Sequence, residues 1–94
     1  MIKSSGKQSA SALIFTGHCR LRGISFVGDT SQEPTLTVYD YLSAGGTAVA
    51  FLMVSDESHT VNIMFPGYGI DCETGLYAGL SAATGDYIIY YEIL

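Results

Sequence analysis

Residues 35–54 read TLTVYDYL, then SAGG, then TAVAFLMV. In the first run Leu36 and Val38 alternate with Thr37, Tyr39 and Tyr41. A period of two puts each set on its own side of a β-strand. Gly45 and Gly46 follow, and paired glycines supply positive φ in a turn without a steric penalty. In the second run Val49, Phe51 and Met53 alternate with Ala48, Ala50 and Leu52. It is β-prone and apolar on both sides, so both faces are candidates for burial. Two such runs around a short turn predict an antiparallel hairpin.

The same grammar extends in both directions. Strands are expected at about 11–15, 18–27, 59–65, 68–72, 76–82 and 87–94, separated by polar or glycine-bearing turns at 28–34, 55–58, 66–67, 73–75 and 83–86. In the 18–27 run Cys19 and Leu21 share a phase, but Ile24 and Phe26 are offset by one residue. Gly23 sits at the slip, which predicts a β-bulge there. In 59–65, Val61, Ile63 and Phe65 point inward, and in 76–82 Leu76, Ala78 and Leu80 are in phase. About eight short strands at this spacing predict an all-β fold, an antiparallel β-sandwich of jelly-roll type. One domain spans 11–94. Residues 1–10, MIKSSGKQSA, are small and polar and read as an extended N-terminal arm.

The chain has 94 residues, 48% hydrophobic and only 14% charged, with a mean hydropathy of +0.30. Disorder needs the opposite balance. The net charge is −5, and the four basic residues, Lys3, Lys7, Arg20 and Arg22, all precede residue 23. No dense basic patch is available to release counterions, which argues against nucleic acid as a partner. No segment approaches the roughly 18 apolar residues of a membrane helix. Polar residues stand where a signal peptide would place its apolar core, so synthesis and assembly are expected in a cytoplasm. Cys19 and Cys72 fit no metal-ligand spacing and read as buried free thiols.

Catalytic constellations are not found. No G-x-S-x-G elbow occurs, and His18 and Cys19, adjacent on a strand, point to opposite faces. The glycines are scattered among turns with no helix behind them, so no phosphate loop or dinucleotide site is expected. Asp71 and Glu73 would share a strand face, and Asp56, Glu57 and His59 cluster in composition, but carboxylates beside turns are ordinarily solvated. A glycosidase pair would need a sugar cleft, and the chain has no tryptophan. The expectation is a protein that is not an enzyme, with no cofactor and no metal.

Seven tyrosines remain. Tyr39 and Tyr41 share one strand face, and Tyr87 and Tyr91 share another around Ile89. Aromatic stripes on strands suit interfaces better than ligand sites. Lys3 and Lys7 could dock on an acidic surface. The candidate interface residues are therefore Lys3, Lys7, Tyr39, Tyr41, Tyr87, Ile89 and Tyr91. Runs 47–54 and 87–94 lack the outward polar residues of a monomeric sandwich and would aggregate if left bare. A closed homo-oligomer would cover them.

In order, the segments LTVYD (36–40), SAGGT (43–47), VNIMFP (61–66), YGIDC (68–72), TGLYA (74–78) and GDYIIYY (85–91) resemble the small β-sandwich structural proteins of tailed bacteriophages. The resemblance covers roughly residues 21–94. It implies a virion structural protein with no catalytic motif, most of all a capsid cement or decoration protein. Such a protein is often a homotrimer that binds the major capsid protein on the capsid exterior and stabilises the head. The alternatives are a tail or head-fibre component contacting tail proteins, or a carbohydrate-binding β-sandwich module using Tyr39, Tyr41 and nearby loops.

Overall fold

A computed structural model describes residues 1–28, 34–53, 60–81 and 85–94. The expected loops at 28–34, 55–58 and 83–86, with the Asp56, Glu57 and His59 cluster, lie largely outside the described residues. The strands are β1 (Ile2–Ser4), β2 (Ala12–Thr16), β3 (Cys19–Gly28), β4 (Thr35–Asp40), β5 (Thr47–Met53), β6 (Thr60–Met64), β7 (Ile70–Cys72), β8 (Gly75–Leu80) and β9 (Gly85–Ile93). They form two antiparallel sheets. Sheet A has the order β1-β9-β3-β6, with β7 also on β3; sheet B has the order β2-β8-β4-β5.

The pairing is nested about the 35–54 hairpin. β4 pairs with β5, β3 with β6 and β7, β2 with β8, and β1 with β9. The chain is one long antiparallel ribbon, folded back at the β4–β5 turn and rolled so that successive ribbon segments fall in alternate sheets. This is the jelly roll, with β6 and β7 counted as one interrupted strand. At the ribbon's tip Gly45 has φ of +119°. A Cβ on Gly46 would collide with the Cβ of Tyr41, so the second glycine is demanded by a close approach.

The expected slip at Gly23 is a β-bulge. Leu21 faces Tyr91 and Gly23 faces Tyr90, so Arg22 is the extra residue of β3 against β9. On the other edge of β3, β6 faces Gly23–Val27 and β7 faces Cys19–Leu21. Residues 65–69 leave the ladder between them. The Phe65 N–H donates to the Arg22 carbonyl at 2.9 Å, and the Gly69 N–H to Pro66 at 3.2 Å. The bulge and the excursion thus meet at one residue, Arg22.

Between the sheets lie Cys19, Leu21, Ile24, Phe26, Cys72, Tyr87 and Ile89 from sheet A, and Leu36, Val38, Leu52, Leu76 and Ala78 from sheet B. Each large aliphatic side chain buried here contributes about 1.5–3 kcal/mol. The buried Tyr87 hydroxyl donates to the Ala10 carbonyl at 2.7 Å, and burial pushes its pKa up to about 12.

Two expectations are corrected. Residues 1–10 are extended but do not stand outside the sandwich: Ile2–Ser4 form the edge strand beside β9. Further along, Ser5 N–H donates to Ile89 O, and Gln8 and Tyr87 exchange two backbone bonds, each at 2.9 Å. Edge pairing here uses main-chain groups and the Ser5 hydroxyl, so it leaves no apolar alternation in a polar segment. The 47–54 run is not buried on both faces. β5 is the outer strand of sheet B, with Leu52 buried and Phe51 and Met53 exposed. The 87–94 run does lie centrally, between β1 and β3.

Candidate interaction face

The register of sheet B places its outward side chains in rows. Leu13, Tyr77, Tyr39 and Ala48 are successive partners across all four strands. The next row is Gly79, Thr37 and Phe51, and beyond it Thr35 faces Met53. The period of two explains the sorting, because Leu76, Ala78, Leu36, Val38 and Leu52 point the other way into the core. The Tyr39 and Tyr77 rings lie 6.4 Å apart at 50°. A Cβ on Gly79 would sit 3.3 Å from Tyr39 Cε2, so the glycine makes room for that ring.

This outer face carries no charged side chain among the described residues, yet much of it is open. Leu13 is 46% exposed, Phe51 57% and Met53 62%. Asp40, the sole charged residue within the sheet B strands, is turned to another use. Its carboxylate accepts the backbone N–H groups of Glu73, Thr74 and Gly75 at 3.2, 2.9 and 3.3 Å, pinning the β7–β8 turn to β4.

The outer face of sheet A is different in kind. Arg22 donates to Glu92 at 2.9 Å, and the N-terminal amine of Met1 lies 3.5 Å from the same carboxylate. These partners, Arg22 foremost, hold the Glu92 carboxyl below its ordinary range. The Arg20 guanidinium lies 5.1 Å over the Tyr68 ring, and His18 pairs with Asp71 at 2.8 Å. Lys7 stands 4.0 Å from Asp86.

The seven expected interface residues are not brought together. Lys3 is on the exposed β1 edge and Lys7 beside Asp86, both on the sheet A side. Tyr39 is on the sheet B face, whereas Tyr41 lies past the end of β4, at the ribbon tip. Tyr87 and Ile89 are buried between the sheets, and Tyr91 packs there with its ring 5.7 Å from Phe15. Those three point inward because β9 turns its odd-numbered positions to the core, which removes Tyr87 and Ile89 from the chain's surface and leaves Tyr91 partly exposed. Missing from the expected set are Leu13, Tyr77, Phe51 and Met53. The alternation in each strand marks them as outward, but only the pairing of the strands gathers them on one face.

Asp71, expected to share a strand face with Glu73 as a solvated carboxylate, is exposed and paired with His18, and Glu73 follows the end of β7. No group of three or more metal-ligating side chains occurs among the described residues. Comparisons with family models, with curated proteins and with solved structures return no match.

Proposed function

We propose that this chain is a structural assembly protein, a decoration protein of a tailed-phage capsid, which joins copies of itself through the outer face of sheet B. In this reading it forms a closed homo-oligomer, a trimer, seated on the major capsid protein at the exterior of the head. The observation that carries it is the uncharged, open face of Leu13, Tyr39, Tyr77, Phe51 and Met53 in a chain whose net charge is −5. Acidic copies repel one another except where they meet without charge, and an open apolar face of this kind marks a protein contact. The nested jelly roll suits the role, since such sandwiches serve as compact building blocks of viral shells. The ordered series of segments resembling phage structural proteins points the same way.

The test is quantitative mass spectrometry of purified particles of the phage that encodes the chain. Hundreds of copies per particle are expected. A handful would move the protein to the tail or a head fibre, and its absence from particles would overturn a virion role altogether.

A further inference from the structure

The chain's two cysteines are brought face to face. Cys19 and Cys72 are direct partners in the pairing of β3 with β7. Both are fully buried on the inner side of sheet A, and both are free thiols. Opposed residues in an antiparallel ladder have Cα atoms about 4.5–5.5 Å apart. A disulfide spans roughly 4.4–6.8 Å between Cα atoms, so a bridge here needs no change of register. We propose that Cys19 and Cys72 are a redox pair that closes into a cross-strand disulfide once the chain meets an oxidising medium.

The reaction is thiol–disulfide exchange with a low-molecular-weight disulfide, glutathione disulfide being the simplest. One cysteine, as thiolate, attacks a sulfur of glutathione disulfide, forming a mixed disulfide and releasing one glutathione thiolate. The second cysteine, as thiolate, attacks the protein-side sulfur, forming the Cys19–Cys72 bond and releasing the second glutathione. The two protein thiols are oxidised, the glutathione disulfide is reduced to two thiols, and the protons leaving the protein end on glutathione.

The setting explains why the thiols can be free and yet poised. Burial pushes Cys19 up to about 11 and Cys72 up to about 12, so the closed sandwich holds them protonated. The thiolate is the reactive species. β7, however, is only three residues long, lies on a sheet edge, and is cut off from β6 by the 65–69 excursion. Short edge segments open locally at a fraction of the cost of global unfolding. Opening of β7 frees Cys72, and reclosing delivers it to Cys19. A reducing cytoplasm leaves the pair open. Outside the cell, the bridge would fix β7 to β3 and with it the excursion that lays Tyr68 over Arg20.

The experiment treats the full chain, folded and without denaturant, with excess glutathione disulfide at mildly alkaline pH. The expected product has lost the mass of two hydrogens, runs as a monomeric chain on non-reducing gels, and yields a Cys19–Cys72 peptide on digestion. Its melting temperature should rise by on the order of 10 °C, because a long loop is closed in the unfolded chain. The rise should vanish on reduction. Thiols still free after days, stable glutathione adducts without an internal bond, cross-linked dimers, or a bridge that lowers the melting temperature would each overturn the proposal. So would a bridge that forms only when the chain is first unfolded. The measurement needs no variant, so a folding defect in Cys72→Ser would not obscure it.

Discussion

The strands of sheet A hold Lys3, Arg20, Arg22, Asp71, Asp86 and Glu92, whereas those of sheet B hold Asp40 alone, and its carboxylate is occupied by backbone N–H groups. Both sheets bury one side against the other in the same sandwich. In a monomer, both outer sides would face water and would carry polar residues alike. Sheet A follows that rule in part: Arg22, Glu92 and the N-terminal amine link β3, β9 and β1 across its outside, and Val27 and Met64 are exposed beside them. Sheet B departs from it, with Phe51 and Met53 open on its outermost strand. The two sheets share one core but differ outside: ion pairs cross the face of sheet A, and the face of sheet B is uncharged and open.

The comparison breaks most sharply at β1. Deleting residues 1–8 would strip the edge of β9 and leave the Ile89 and Tyr87 N–H groups without the Ser5 Oγ and Gln8 O acceptors that now meet each at 2.9 Å. At roughly 1 kcal/mol per lost bond, a destabilisation of about 2–4 kcal/mol is expected. That corresponds to a fall in melting temperature on the order of 10–20 °C. A truncated chain that melts with the full one would show that β1 is dispensable to sheet A.

A smaller effect is expected at Glu92. Its carboxyl titrates lower when folded than when unfolded, because Arg22 and the N-terminus favour the charged form. The unfolded chain therefore binds the proton more tightly, and stability from this group is present above the ordinary carboxylate pKa. It is lost as the pH falls through the lowered folded value. Glu92→Gln should weaken the protein modestly at neutral pH and flatten this acid limb of its stability profile. Thermal melts of both chains across acidic pH would reveal it, and parallel profiles would count against the ion pair.

The smallest effect on folding, and the most informative for the face, is expected from Phe51→Lys. Phe51 is 57% exposed and points away from the core, so stability should change by no more than about 0.5 kcal/mol. Sedimentation should nevertheless show the variant as monomers where the parent chain is a closed oligomer. A parent chain that is itself monomeric at micromolar concentration, or a variant that stays assembled, would sink the role given to sheet B.

Much of the interior was legible in advance. The phases of Leu36 with Val38, of Leu76 with Ala78, and of Ile24 with Phe26 identify core residues because a strand alternates its side chains strictly. The slip across Gly23 identifies the bulge for the same reason. The interface candidates Tyr87, Ile89 and Tyr91 were less well served. A strand apolar on both faces reads alike whether it is central to its own sheet or set against another molecule, and only its two hydrogen-bonded neighbours, β1 and β3, distinguish the cases.

The sequence by itself determined the strand periods, the turns at 43–46, 66–67 and 73–75, the all-β sandwich and the tip of the ribbon, since each is written in residues close along the chain. Tertiary structure alone decided which strand lies beside which. Main-chain hydrogen bonds join β1 to β9 across almost the whole chain without asking for particular side chains. The same pairing decided that the apolar run of β5 lies on an edge and not at a centre, and that Cys19 faces Cys72. Such choices follow from how the ribbon rolls to bury one side of each sheet, a sum over all contacts that no local stretch of residues contains.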